Sequence, residues 1–137
     1  MIRSESTFSE RNLNRLYRET PVEELEKSSR LVVFSDLHLG NGGATDDFAS
    51  NADLFQRAVR DHYLEGGFTL VLNGDIEELQ RFRLRDILRQ WGSVYRLFDD
   101  FKQQGRLYRL IGNHDMDLAD RDDHQFDVGF MFADEMT

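Results

Sequence analysis

Three short runs rich in leucine, β-branched and aromatic residues, at 31–35, 68–72 and 106–111, each lead directly into a polar turn that carries a glycine. This repeated junction constrains the fold more than any other feature of the chain. Runs of this length read as buried strands. Between them lie helical stretches. Phe48, Ala52, Phe55, Val59 and Tyr63 are spaced for one helix face, with Asp47 as its cap and Gly66-Gly67 as its end. Leu84, Ile87, Leu88, Trp91, Tyr95, Phe98 and Phe101 line one face of a longer helix that stops at Gly105. Strand, helix, strand, helix, strand predicts an α/β fold with two right-handed crossovers and a parallel sheet covered on both faces. The first thirty residues predict a helical arm of two short helices. Thr7-Phe8-Ser9-Glu10 and Thr20-Pro21-Val22-Glu23 each fit a capping box.

The polar turns are where chemistry would sit. Asp36-Leu37-His38-Leu39-Gly40 follows the first strand, Asn73-Gly74-Asp75-Ile76-Glu77-Glu78 the second, and Gly112-Asn113-His114-Asp115 the third. Ligands of open α/β sheets bind outside the carboxyl ends of the strands. Asp36, His38, Asp75, Asn113 and His114 are therefore expected in one crevice. Asp36 and His38, two apart, would point the same way if the strand conformation persists. With no cysteine in the chain, any metal must be held by carboxylate, imidazole or amide oxygen. That donor set suits manganese, iron, zinc or a similar divalent cation. Two such cations, roughly 3.5–4 Å apart, would share a hydroxide and clamp phosphoryl oxygens.

Read in order, these turns resemble the motifs of the calcineurin-like metallophosphoesterases: Asp-x-His, Gly-Asp-x-x-Asp/Glu and Gly-Asn-His-Asp/Glu. The resemblance implies the parallel-sheet half of a four-layer metallophosphoesterase sandwich, with a domain over 31–137 after the arm at 1–30. It also implies a phosphoester substrate and a dinuclear centre, manganese first, with iron, zinc, nickel or magnesium as alternatives. By resemblance, Asp36 and His38 ligate the first metal, Asp75 bridges and Asn113 ligates the second. His114 is then the acid for the leaving oxygen or a stabiliser of the transition state, and Glu78 orients it. Family members carry further histidines after the third motif, including a Gly-His-x-His. Here only His124 follows, which reads as a surface residue. A domain cut short, weak in catalysis, is the expectation that follows. The apolar residues Phe126, Val128, Phe130, Met131 and Phe132 would then offer a surface for self-association.

A net charge of −9 disfavours binding to nucleic acid, which needs a basic surface. It leaves phosphate binding open, because a bound cation reverses the local field. No apolar run reaches membrane-spanning length and no signal-peptide core is evident, so a cytoplasmic protein is expected. Gly40-Asn41-Gly42-Gly43-Ala44-Thr45 is glycine-rich but fails the dinucleotide fingerprint at Thr45. Arg81, Arg83, Arg85 and Arg89 read as a solvated helix face, with Arg81 or Arg83 in reach of a substrate phosphate. His62 reads as a packed or surface histidine, and Asp46-Asp47 as a helix start.

Overall fold

The computed structural model describes residues 8–20, 22 and 24–120. Three strands, β1 (Leu31–Phe34), β2 (Thr69–Asn73) and β3 (Leu107–Leu110), form a parallel sheet in the order β1-β2-β3. Val33 pairs with Val71, and Val71 with Tyr108. The chain is thus α/β, and the three polar turns leave one edge of the sheet side by side.

Helix α1 (Phe8–Glu19) forms, but none of its residues is buried. Among the described residues the second arm helix does not form. Its Thr20 starts no helix, and Pro21 and Glu23 lie outside the described residues. Val22 and Leu25 are exposed, so a short helix here would bury nothing to offset its nucleation cost. A tight turn replaces it, closed by Ser29 N–H to the Glu26 carbonyl at 3.0 Å.

The first crossover begins with a 3₁₀ turn (Ala49–Asn51), continues as α2 (Ala52–Ala58) and widens to a π-helical turn (Val59–Leu64). Asp46, not Asp47, organises its start. The buried Asp46 carboxylate accepts from Phe48 N–H at 2.9 Å, Gly42 N–H at 2.7 Å and the Trp91 indole at 3.0 Å. That last bond explains a second departure from expectation. The long helix is two, α3 (Leu84–Gln90) and α4 (Gly92–Gln103), broken where Trp91 leaves helical geometry to reach Asp46. Its ring also meets Phe48 edge-on at 4.9 Å. His62 is exposed and lies against Tyr63 and Phe68.

Leu70 and Leu72 of β2 join Phe55, Val59, Val94, Tyr95, Phe98 and Phe101 in one core. Both crossovers thus pack on the same face. The other face is not covered among the described residues: Leu31, Val33, Tyr108 and Leu110 are 38–57% exposed. The expectation of two covered faces is corrected accordingly, since covering needs elements on both sides and both helical connections chose one. His124 and the apolar run from Phe126 to Phe132 lie outside the described residues. Among the described residues no helix is long and apolar enough to cross a membrane.

The core assignment predicts that Phe98→Ala, a fully buried ring, costs about 3–5 kcal/mol. Arg15→Ala on the exposed arm should stay within about 0.5 kcal/mol. Urea unfolding of the two variants checks the difference.

Candidate metal centre

Among the described residues, three that are not glycine have positive φ: Asp36 at 54°, His38 at 51° and Asp75 at 54°. Side chains with a Cβ hold this left-handed conformation only against a steric cost, and such residues concentrate at functional sites. Here all three come from the polar turns. The strand conformation, on which the shared direction of Asp36 and His38 was conditional, therefore does not persist through them. Leu37 and Leu39 pack into the core instead. Each left-handed turn swings its polar side chain away from them. The backbone stays attached to the neighbouring loop throughout. Asp36 N–H donates to the Gly74 carbonyl at 3.1 Å, His38 N–H to Asp75 at 3.1 Å and Leu39 N–H to Ile76 at 2.8 Å.

The second and third loops touch through glycines. A Cβ on Gly74 would lie 2.9 Å from the Gly112 nitrogen, and one on Gly112 would lie 2.2 Å from Asp75 Oδ1. Only with both side chains absent can the loops close this far. The result is that His114 N–H donates to Asp75 Oδ1 at 2.8 Å.

Asp36, His38 and Asp75 present ligand atoms within 4.8 Å of one another. Turned so that its amide nitrogen faces Asp75, Asn113 donates to Oδ1 at 3.2 Å and Oδ2 at 3.1 Å. Half a turn of that amide offers its oxygen to the same place. Two carboxylates, an imidazole and an amide at one sheet edge fit a hard or borderline divalent cation by donor chemistry. Asp36 is held ionised: hydrogen bonding from Ser35 outweighs what burial would do and, with His38, lowers its pKa.

A second group, His38, Glu78 and His114, also falls within ligand distance. Its geometry is that of hydrogen bonding. Glu78 Oε2 meets His38 Nδ1 at 3.0 Å and His114 Nδ1 at 2.7 Å, and the two rings stand edge to face at 4.6 Å. One carboxylate oxygen thus fixes two imidazoles through Nδ1 and leaves the Nε2 side of each ring to the site, where His38 Nε2 lies 3.7 Å from Asp36 Oδ1, an arrangement that favours Nε2 as metal ligand or proton carrier. Burial would raise the Glu78 carboxyl, but the bonds to His114 and His38 prevail and its pKa is lowered. Glu78 in turn raises the pKa of His114, favouring the imidazolium. Glu78 Oε1 is buried with no hydrogen-bond partner.

The structure therefore brings together Asp36, His38, Asp75, Asn113, His114 and Glu78, the residues singled out in the sequence. Sequence reasoning missed that Glu78 holds His38 as well as His114, since no spacing rule links residues forty apart. Arg81 turns to the loop before α2, donating to the Thr45 carbonyl at 2.8 Å and lying 3.7 Å from Asp47.

The sequence model of one family, Calcineurin-like phosphoesterase, matches residues 29–135. No curated protein matches the chain, and no solved structure does.

The glycine contact gives a test independent of any substrate. Gly112→Ala should lower the melting temperature of the metal-free protein. It should also shrink the stabilisation that Mn²⁺ confers, because the new Cβ displaces Asp75. Thermal melts with Mn²⁺ and with chelator measure both; an undiminished Mn²⁺ shift in the variant would contradict this.

Proposed function

Because this chain belongs to the calcineurin-like phosphoesterase family, we propose that it hydrolyses a phosphoester using divalent cations held by Asp36, His38, Asp75 and Asn113. The observation that carries this reading is that Asp36, His38 and Asp75 converge while all three hold left-handed backbone. Core packing of Leu37 and Leu39 accounts for the turns at Asp36 and His38, but two carboxylates crowded together repel, and a bound cation would offset that repulsion.

Bound there, divalent cations supply Lewis acidity to the phosphoryl oxygens and make water a nucleophile near neutral pH. The chain's own residues supply the rest. Asp75, hydrogen-bonded between the second and third loops, is the carboxylate that two cations could share. Asp36 and His38 would hold one of them, and Asn113 the other. Manganese is the first choice by the family resemblance; oxygen and imidazole donors without thiolate suit iron or zinc as well. His114, pinned at Nδ1 by Glu78, keeps Nε2 for a proton, which it delivers to the leaving oxygen. Its raised pKa supports that role, because only the imidazolium carries protons on both nitrogens.

A second reading is a site for one cation. It is favoured by the ligand inventory: among the described residues the first position has Asp36, His38 and Asp75, the second only Asp75 and Asn113. Metal stoichiometry separates the two.

Mn²⁺ at a hundredfold excess over its Kd should stabilise the protein by about 2.7 kcal/mol if it binds only the folded form. Asp75→Asn should remove most of that, and identical melts with and without Mn²⁺ would refute the site. Where turnover of p-nitrophenyl phosphate or an alkyl phosphate is measurable, His114→Ala should lower kcat about 10²–10⁴-fold with little change in metal affinity. The loss should be greatest for the alkyl phosphate, whose leaving oxygen most needs a proton. Equal rates for His114→Ala and wild type would take this histidine out of the reaction.

A further inference from the structure

Alternation along β3 turns Tyr108 and Leu110 to the open face and Leu107 and Arg109 to the helix-covered face. An arginine there is costly unless its charge is matched. The Arg109 side chain is only 3% exposed, and the carboxylates of Glu77 and Asp115 beside it are fully buried. Nη1 donates to Glu77 Oε1 at 2.9 Å and Nη2 to Glu77 Oε2, while Nη2 also reaches Asp115 Oδ2 at 3.3 Å. Tyr95 of α4 completes the group, its hydroxyl donating to Glu77 Oε1 at 2.5 Å. Burial would favour neutral Arg109, yet Glu77 and Asp115 outweigh it and its pKa moves up.

Asp115 passes this anchoring on to the site. Its Oδ2 accepts from Ile76 N–H at 2.9 Å and its Oδ1 from Gly112 N–H at 2.6 Å. Ile76 follows Asp75, and Gly112 precedes Asn113. One carboxylate therefore ties the loop bearing Asp75 to the loop bearing Asn113 and His114. Arg109 holds that carboxylate, and through Glu77 it holds the first of these loops a second time.

We propose that Arg109 is a positioning residue for the candidate metal site: by clamping Glu77 and Asp115 it sets the separation of Asp75 from Asn113. The consequence for metal rests on the reading above; the clamping of the loops does not. A lysine would keep the charge but lacks the fork that reaches two carboxylates at once.

The experiment compares wild type, Arg109→Lys, Tyr95→Phe and a core control, Val94→Ala, by amide hydrogen exchange and by Mn²⁺ titration. In Arg109→Lys the Ile76 and Gly112 amides should lose at least about tenfold in protection while Leu70 and Leu72 keep theirs, and the Kd for Mn²⁺ should rise at least about tenfold. Each tenfold step is the equivalent of 1.4 kcal/mol. Tyr95→Phe, which removes one bond to Glu77, should show the same pattern more weakly and serves if the lysine variant does not fold. Val94→Ala should lower stability without changing the Mn²⁺ Kd. Uniform loss of protection in Arg109→Lys, or an Arg109→Lys Kd equal to that of wild type, overturns the positioning role. Absence of Mn²⁺ binding by wild type overturns the metal-dependent reading itself, and with it the ligand half of the proposal, whereas the exchange data still decide whether Arg109 clamps the loops.

Discussion

The approach of Gly74 to Gly112 is the contact on which the site depends. It brings the turn after β2 against the turn after β3 closely enough for a side-chain carboxylate on one to accept from backbone on the other. Any Cβ at either position would enter the space that Asp75 or the Gly112 backbone occupies. Parallel strands make the approach available, because all three carboxyl ends leave the same edge of the sheet. The glycines then convert neighbouring turns into one polar cluster.

Stability and site geometry pull in different directions here. Left-handed Asp36, His38 and Asp75 and the crowding of acidic groups oppose folding. Offsetting them are the apolar core built on β2 and α4 and the hydrogen bonds that zip the first loop to the second. The buried ion group of Arg109, Glu77 and Asp115 acts differently. Such groups add little net stability over an apolar equivalent, but losing one partner strands a buried charge at about 3–5 kcal/mol. Against a typical total of about 5–15 kcal/mol, that makes the arrangement hard to alter without losing the fold. In the positioning role proposed for Arg109, loop placement, more than extra stability, is what this group would contribute.

Glu78 illustrates how few atoms fix the orientation of the site. A single carboxylate oxygen receives both histidine Nδ1 atoms, so the tautomer and ring direction of His38 and His114 are set together. Glutamate, one methylene longer than aspartate, still meets His114 at 2.7 Å.

The sequence by itself determined the alternation of three strands with helical crossovers and the chemistry available at the strand ends. Strand-length apolar runs, helical spacing and the residues Asp36, His38, Asp75, Glu78, Asn113 and His114 are local properties of the chain. For the same reason helix α1 was legible, whereas the want of a second arm helix among the described residues was not, since nothing local says that Val22 and Leu25 stay exposed. Tertiary structure alone decided the rest. The break at Trp91 exists because its indole reaches Asp46, forty-five residues away. The helices lie on one face of the sheet because both crossovers pack there. The left-handed turns at Asp36 and His38 follow from Leu37 and Leu39 entering a core that other segments build. In sequence Arg109 is simply one residue of the third strand run, and only the fold shows its meeting with Glu77, thirty-two residues earlier. Propensity and periodicity act over a turn of helix or a few strand residues, whereas these contacts require distant segments to be already in place.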